Sequence, residues 1–177
     1  HMVGMVEDLL DVARSRGGRG IPVEPAEADL GMVATATLQE LEADSGARRV
    51  ELVRSGDLSG AWDAGRLQQL LANLVGNALR HGDPRGAVSL GLDGEEAAQV
   101  RIEVRNAGAI PAEVLPVLFD PFRGETRSRT RNAGLGLGLY ICNEIVRAHG
   151  GTIEVRSEED SGTRIEVRLP RRAPTAR

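Results

Sequence analysis

An α/β (α+β) fold, a two-layer sandwich with a mostly antiparallel sheet packed on three helices, is what this 177-residue sequence predicts. Two observations carry that reading. The segment DAGRLQQLLANLVGNALRHG repeats apolar residues at helical spacing, with Leu67, Leu70, Leu71, Leu74, Val75 and Ala78 on one face. Elsewhere, paired segments alternate apolar and polar residues, 86–93 with 98–106 and 151–157 with 163–169, and a turn at Asp93-Gly94 joins the first pair. Glycine is abundant, 22 residues or about 12% against a usual ~7%, but it is spread among periodic apolar segments, so the chain is expected to fold.

In chain order, His1-Met2 reads as the scar of a cleaved tag, and the natural sequence is expected to extend upstream. Val3, Val6, Leu9, Leu10 and Ala13 then fall at helical spacing, giving an amphipathic helix over 3–16 whose apolar stripe needs a partner. Residues 17–28, punctuated by Gly and Pro, read as a linker, and 29–170 as one domain. Asp29 caps a helix over 30–43 with Leu30, Val33, Thr37, Leu38 and Leu41 on one side. Residues 48–54 and 58–62 read as strands, Asp63 caps the leucine helix, and Gly82 ends it. A Pro-started helical turn at 111–118 follows the first hairpin, then an irregular stretch over 123–133 and a helix over 136–149 stopped by Gly150-Gly151. The last two strands follow, and residues 171–177 are expected to form a disordered tail.

Composition excludes several functions. Four aromatics, Trp62, Phe119, Phe122 and Tyr140, are too few for a stacking platform for single-stranded nucleic acid. A net charge of −4 provides no global basic field for DNA, RNA or anionic lipid, so no nucleic-acid partner and no membrane contact are expected. No apolar stretch approaches the ~20 residues of a membrane span. The lone Cys142, in an apolar helical run, reads as core in a reduced, cytoplasmic setting.

Three constellations remain that carry chemistry. Asn73 and Asn77 stand four apart on the leucine helix, so both amides share one face, where poor helix formers need a reason to be. An amide oxygen is a hard ligand suited to Mg²⁺, which completes its shell from water and nucleotide phosphates. The run Asn132 to Leu139 places Gly134, Gly136 and Gly138 at a helix start, where a close backbone and free N–H groups favour a phosphate. That spacing is neither the dinucleotide fingerprint nor a P-loop, and a packed glycine turn reads equally well. Just before it, residues 123–131 hold four arginines and one glutamate, a local +3 that reads either as a solvated loop or as a lid over phosphates. Finally, Asn106, Gly108 and Ile110 sit at a strand end, where an amide can meet a base edge and glycine leaves room for a flat ring.

In order, these pieces resemble the boxes of the sensor histidine kinase catalytic domain, of the GHKL superfamily that includes DNA gyrase. NLVGNALRH (73–81) resembles the asparagine box, RNAGAIP (105–111) the first glycine box, LFDPF (118–122) the phenylalanine box, GLGLGL (134–139) the second glycine box and SGT (161–163) the last. EDLLDVAR (7–14) is similar to the end of the second helix of the dimerisation and phosphotransfer hairpin. The resemblance implies a Bergerat-type ATP-binding fold with a mixed sheet, ATP and Mg²⁺ as ligands, and transfer of the γ-phosphate to a histidine on a hairpin domain. It implies that Asn77 coordinates Mg²⁺ and that Asn73, Arg80 and His81 line the phosphate site. Gly136, Leu137 and Gly138 would offer N–H groups to phosphate. Asn106, Gly108 and Thr163 would frame adenine. Ile110, Phe119, Phe122, Arg123, Gly134 and Leu135 would complete the nucleotide site, while His149 is read as structural.

Two departures from the family pattern are informative. Asn106 stands where the family most often has Asp; its carbonyl oxygen can still accept, provided its NH₂ finds a backbone carbonyl or water. Asn73 stands where ATP-hydrolysing members carry a Glu base, so ATPase activity is expected to be negligible. None of His1, His81 and His149 lies in a phosphoacceptor motif, so the chain is not expected to phosphorylate itself. The expected partners are ATP, the hairpin domain of the same kinase and a cognate response regulator, with a homodimeric full-length protein. The alternative is a degenerate, non-catalytic GHKL regulatory or docking module.

Overall fold

The computed structural model describes residues 9–14, 20–45, 50–122 and 136–172. Residues 9–14 form helix α1. The chain continues as β1 (Ala26–Asp29), α2 (Leu30–Ser45), β2 (Val50–Gly56), β3 (Ser59–Trp62), α3 (Ala64–His81), β4 (Val88–Gly94) and β5 (Gln99–Asn106). A 3-10 turn at Leu115–Val117 precedes α4 (Gly138–Ala148), β6 (Thr152–Glu158) and β7 (Gly162–Pro170).

Five strands make the main sheet in the order β2-β4-β5-β7-β6. Only β2 and β4 run parallel, because the connection between them passes through α3; the other neighbours are antiparallel hairpin or return pairs. Helix α3 packs between α2 and α4 and rests on β4 and β5, so three helices cover one face of a mixed sheet, as expected. Every apolar residue assigned from sequence to the α3 core face is buried, and Leu67, Leu70, Leu71 and Leu74 expose nothing. They meet Ile102, Val167 and Leu169 of the sheet and Ile141 and Ile145 of α4 in one core.

Caps fix both ends of α3. Asp63 Oδ1 accepts from the Arg66 N–H at 3.0 Å, and Oδ2 accepts from the Glu24 N–H at 3.0 Å. The Asp63 N–H donates to Nε2 of His149 at 3.2 Å, while Nδ1 of that ring lies 2.8 Å from the Ile145 carbonyl. One neutral tautomer, protonated on Nδ1, satisfies both bonds. Burial depresses the His149 pKa, against smaller raising effects of the Ile145 carbonyl and the Asp63 charge. The ring is fully enclosed and ties the start of α3 to the end of α4, the structural role read from sequence.

The opposite face of the sheet has no helical layer. It carries like-charged rows across the strands: Glu103, Glu166 and Glu154 in register, flanked by Arg105, Arg164 and Arg156 on one side and Arg101 and Arg168 on the other. Attraction runs between rows, across strands for Arg164 and along one strand for Arg168 and Arg105. Arg164 lies 2.6 Å from Glu103 and Arg168 2.7 Å from Glu166, while Arg105 pairs with Glu103. The long arginine stems cover sheet surface that would otherwise need a second layer.

Two boundaries differ from the sequence reading. Ala26–Asp29, expected in the 17–28 linker, pairs as β1 with β3, and Ile21 is already buried, so the domain begins before residue 29. AEAD alternates apolar and acidic residues over only four positions, and none of them is a strong strand former, so its partner strand is what reveals it. In α1 the stripe residues Leu9, Leu10 and Ala13 are exposed, in keeping with a stripe that needs a partner, while Asp11 and Val12 are buried; Val3 and Val6 lie outside the described residues. The tail expected to be disordered from 171 starts with two ordered residues. Arg171 donates to the carbonyls of Asp57, Ser59, Gly94 and Glu96, and Arg172 bridges Ala61.

Candidate functional site

The last turns of α3 hold Asn73, Asn77, Arg80 and His81. Asn73 is half-buried, and its Nδ2 is fully enclosed with no hydrogen-bond partner among the described residues. An orphaned buried donor is rare in a folded protein and calls for a ligand or water. A Cβ placed on Gly138 would lie 3.3 Å from Asn73 Oδ1, so the glycine start of α4 abuts this amide directly. Gly136 adopts φ 66°, which turns the chain into α4, and no side chain caps the helix there. The positive end of an 11-residue helix thus lies beside Asn73.

Arg80 Nη2 donates to Asn77 Oδ1 at 2.8 Å. Its guanidinium folds back over Gly76, where a Cβ would stand 3.1 Å from Nη1. Partial burial lowers the Arg80 pKa, and among the described residues no carboxylate pairs with it. His81 is depressed first by burial and then by the Arg80 charge, which keeps its ring neutral at neutral pH. The result is a cationic site with no paired carboxylate among the described residues.

A second cluster closes the other end. Gly82 admits no side chain, because a Cβ would fall 2.6 Å from the Ala78 carbonyl and 2.9 Å from Asn106 Nδ2. The Asp83 N–H donates to the Ala107 carbonyl at 2.8 Å, which joins the end of α3 to the turn after β5. Asn106 gives its NH₂ to that same carbonyl at 2.9 Å, leaving Oδ1 as an acceptor. The condition set by the Asn-for-Asp departure is therefore met.

From there a directed chain of hydrogen bonds runs across three strand ends. The Ile110 N–H donates to Ser157 Oγ at 2.7 Å, Ser157 Oγ lies 2.8 Å from Thr163 Oγ1, and Thr163 donates to the Gly108 carbonyl at 2.8 Å. Since Thr163 spends its proton on Gly108, Ser157 must donate to Thr163. Gly108 at φ 99° makes the turn. Ser157 was missed by the sequence reading; its only signal is its register opposite Thr163, which is invisible before the strands are paired.

The structure thus sets Gly138 against Asn73 and Arg80 against Asn77 along α3, and gathers Asn106, Gly108, Ile110 and Thr163 in a second cluster, joined to the end of α3 through Gly82 and Asp83. Phe119 and Phe122 lie in the turn after the 3-10 segment, Phe122 at a positive φ of 65°. Arg123, Gly134 and Leu135, with the arginine-rich stretch, lie outside the described residues.

Residues 62–173 match the model of the histidine kinase-, DNA gyrase B- and HSP90-like ATPase family. The chain belongs to that family. Among curated relatives, the signal transduction histidine-protein kinase AfsQ2 of Streptomyces coelicolor is 35% identical over 94% of this chain and 30% of its own length. The sensor protein SrrB of Staphylococcus aureus is 36% identical over 63% of this chain and 19% of its own length. The chain therefore spans less than a third of the curated relatives it matches. Among solved structures, the catalytic domain of histidine kinase ThkA, in a nucleotide-free form, superposes with TM-score 0.70 at 27% identity, covering 84% of this chain and 96% of that one. Full-length ShkA in complex with AMPPNP shares the fold, with TM-score 0.76 at 24% identity over 99% of this chain and 37% of that one. Fold and relatives are those of the ATP-binding catalytic domain of two-component sensor histidine kinases.

Proposed function

We propose that this domain binds ATP with Mg²⁺ and transfers the γ-phosphoryl group to a histidine on a hairpin domain of the same full-length kinase, from which it passes to a cognate response regulator. The observation that carries this reading is Asn73 set against the uncapped glycine start of α4, one turn from Asn77 and its arginine, which has no carboxylate partner among the described residues. Those residues suit a polyphosphate and a hard cation: one amide oxygen, one orphaned amide donor, one helix terminus and one guanidinium. Asn77 would hold Mg²⁺ through Oδ1, once Arg80 yields that oxygen. Bound there, Mg²⁺ supplies positive charge that offsets the charge on the phosphates.

The chain's own residues do the rest. Arg80 provides a fixed positive charge beside the phosphates, Asn73 donates through Nδ2, and the first turn of α4 presents backbone N–H groups. Asn106 Oδ1 accepts from the exocyclic amine of adenine, and the Ser157–Thr163–Gly108 chain fixes the turn that frames the ring. In the transfer, a neutral imidazole nitrogen of the acceptor attacks the γ-phosphorus; the N–P bond forms as the bond to the bridging oxygen breaks, and ADP leaves with that electron pair. A nucleophile this good needs no carboxylate base, which fits Asn73 in place of Glu. Asn106, with its NH₂ satisfied and its oxygen left as an acceptor, favours this reading over a degenerate docking module.

We further expect a homodimeric full-length protein and a cytoplasmic position for this domain. No helix among the described residues is long and apolar enough to cross a membrane. The test is titration with a fluorescent ATP analogue, with Mg²⁺ and with chelator, followed by transfer of label from [γ-³²P]ATP to a supplied hairpin domain. Saturable binding weakened at least tenfold by Asn77→Ala, with labelled hairpin and negligible free phosphate, is the expected result. Absence of saturable binding at millimolar nucleotide overturns the proposal; binding without transfer selects the docking module.

A further inference from the structure

Strand β6 is an outer edge of the main sheet: it pairs with β7 on one side, and no strand among the described residues takes the other. An outer strand leaves a row of backbone N–H and C=O groups open to another chain. In its sequence, TIEVRSE, every second residue is exposed: Thr152, Glu154, Arg156 and Glu158. Within one chain the two central charges are badly placed. Glu154 stands opposite Glu166 and Arg156 opposite Arg164, and like charges directly across a sheet repel. Among the described residues each finds an ion pair only with the other, along the strand at 4.0 Å, with 68% and 77% of the two side chains exposed.

We propose that this edge takes a second copy of the same chain, β6 against β6, antiparallel, with Val155 on the two-fold axis. In that register Glu154 of each copy faces Arg156 of the other, so both charges meet opposite ones. Val155 meets Val155, Ile153 meets Ser157 and Thr152 meets Glu158, which sets exposed residues beside exposed ones and half-buried beside half-buried. Moving the axis to Glu154 or to Arg156 sets that residue against its own copy, and a one-residue slip sets exposed residues against half-buried ones. One register is therefore selected. The match extends beyond the edge. The arginine row Arg105, Arg164 and Arg156 would run on into the glutamate row Glu154, Glu166 and Glu103 of the second copy, and the reverse on the other side of the axis. The other outer strand lacks this property: in β2, the same operation about Val53 sets Leu52 against Arg54 and Glu51 against Ser55. The two five-stranded sheets would continue as one through backbone hydrogen bonds, a self-complementary contact within the domain and separate from the dimer expected through the hairpin.

Sedimentation equilibrium of this chain at low salt, from about 10 μM to about 1 mM, tests the pairing. A monomer–dimer equilibrium is expected, weakened several-fold in about 0.5 M NaCl. Arg156→Glu and Glu154→Arg should each weaken it about tenfold, since each sets like charges opposite one another at two places. Neither should unfold the domain, because each gains an opposite charge across β7; thermal unfolding checks this. An equimolar mixture of the two variants, and the Glu154→Arg/Arg156→Glu double variant, restore the opposite charges and should associate as the native chain does. Three results overturn the proposal: a monomer throughout the range; a dimer that the single variants leave unchanged, which would place the contact elsewhere, as at the exposed Leu9 and Leu10; or a weakening that the mixture does not reverse. No nucleotide enters the test, and neither residue lies in the phosphate or adenine cluster, so failure of ATP binding would refute the kinase reading and leave this result standing.

Discussion

Lowering the pH from 7.5 to 5.5 should destabilise this domain, and His149 should account for a defined share of the loss. Its ring is fully enclosed, with Nδ1 facing the Ile145 carbonyl and Nε2 receiving the Asp63 N–H. A second proton would place a donor against a donor, and burial already depresses the pKa below the ordinary histidine value of about 6.5. Asp63 and Arg66 are the charged groups near it, and their effects oppose one another. The sign follows from proton counts: below about pH 6.5 the unfolded chain takes up a proton that the folded chain refuses. Stability is therefore full above the unfolded pKa and falls as the pH drops toward the folded one. For a ring that stays neutral throughout, the loss between pH 7.5 and 5.5 is at most about 1.4 kcal/mol. That corresponds to roughly 3–5 °C in melting temperature for a domain of this size. His81, also depressed, moves in the same direction, but its ring is exposed and its share is smaller. Urea unfolding at the two pH values, in the native chain, His149→Gln and His81→Gln, separates them. Asp57, Asp93 and Glu166, whose pKa values are lowered, lose their contributions only nearer pH 4. If His149→Gln leaves the pH-dependent loss unchanged, His149 is not neutral in the fold and the reasoning fails.

Other expectations are briefer. Gly162→Ala forces a side chain into φ 77° and sets its Cβ 2.4 Å from the Asn106 carbonyl, so it should cost about 2–4 kcal/mol by thermal unfolding and weaken nucleotide binding too. Ser157→Ala removes the donor to Thr163 and the acceptor for the Ile110 N–H; a loss of about 1–2 kcal/mol in urea, with reduced nucleotide affinity, is expected. Glu166→Gln removes the charge shared by Arg164 and Arg168, and should cost about 1 kcal/mol at low salt, shrinking in 0.5 M NaCl; an equal cost at both salts would show that the charged rows do not act electrostatically.

What the sequence shows plainly is whatever rests on local pattern. Helix α3 was readable to its caps because leucine spacing, Asp63 and Gly82 all lie within one segment, and the asparagine pair was readable because helical spacing fixes which side chains share a face. Pairing is different. β1 alternates over only four residues, none of them a strong strand former, and the parallel β2–β4 neighbours are set by the crossover through α3, which no local pattern encodes. Ser157 entered the site only through its register with Thr163. In helix α1 the burial of Asp11 was not legible, because its partner Arg66 lies 55 residues away.

Arg171 also bears on where such a domain can be cut. Its guanidinium gathers carbonyls from the β2–β3 turn and the β4–β5 turn, its own N–H reaches the Ala98 carbonyl, and its carbonyl receives the Ala61 N–H at 2.6 Å. A fragment ending at Pro170, the last residue of the last strand, would keep every strand and lose the one side chain that sews two turns together. For expression, the useful C-terminal boundary is set by that stitch and not by the end of the sheet.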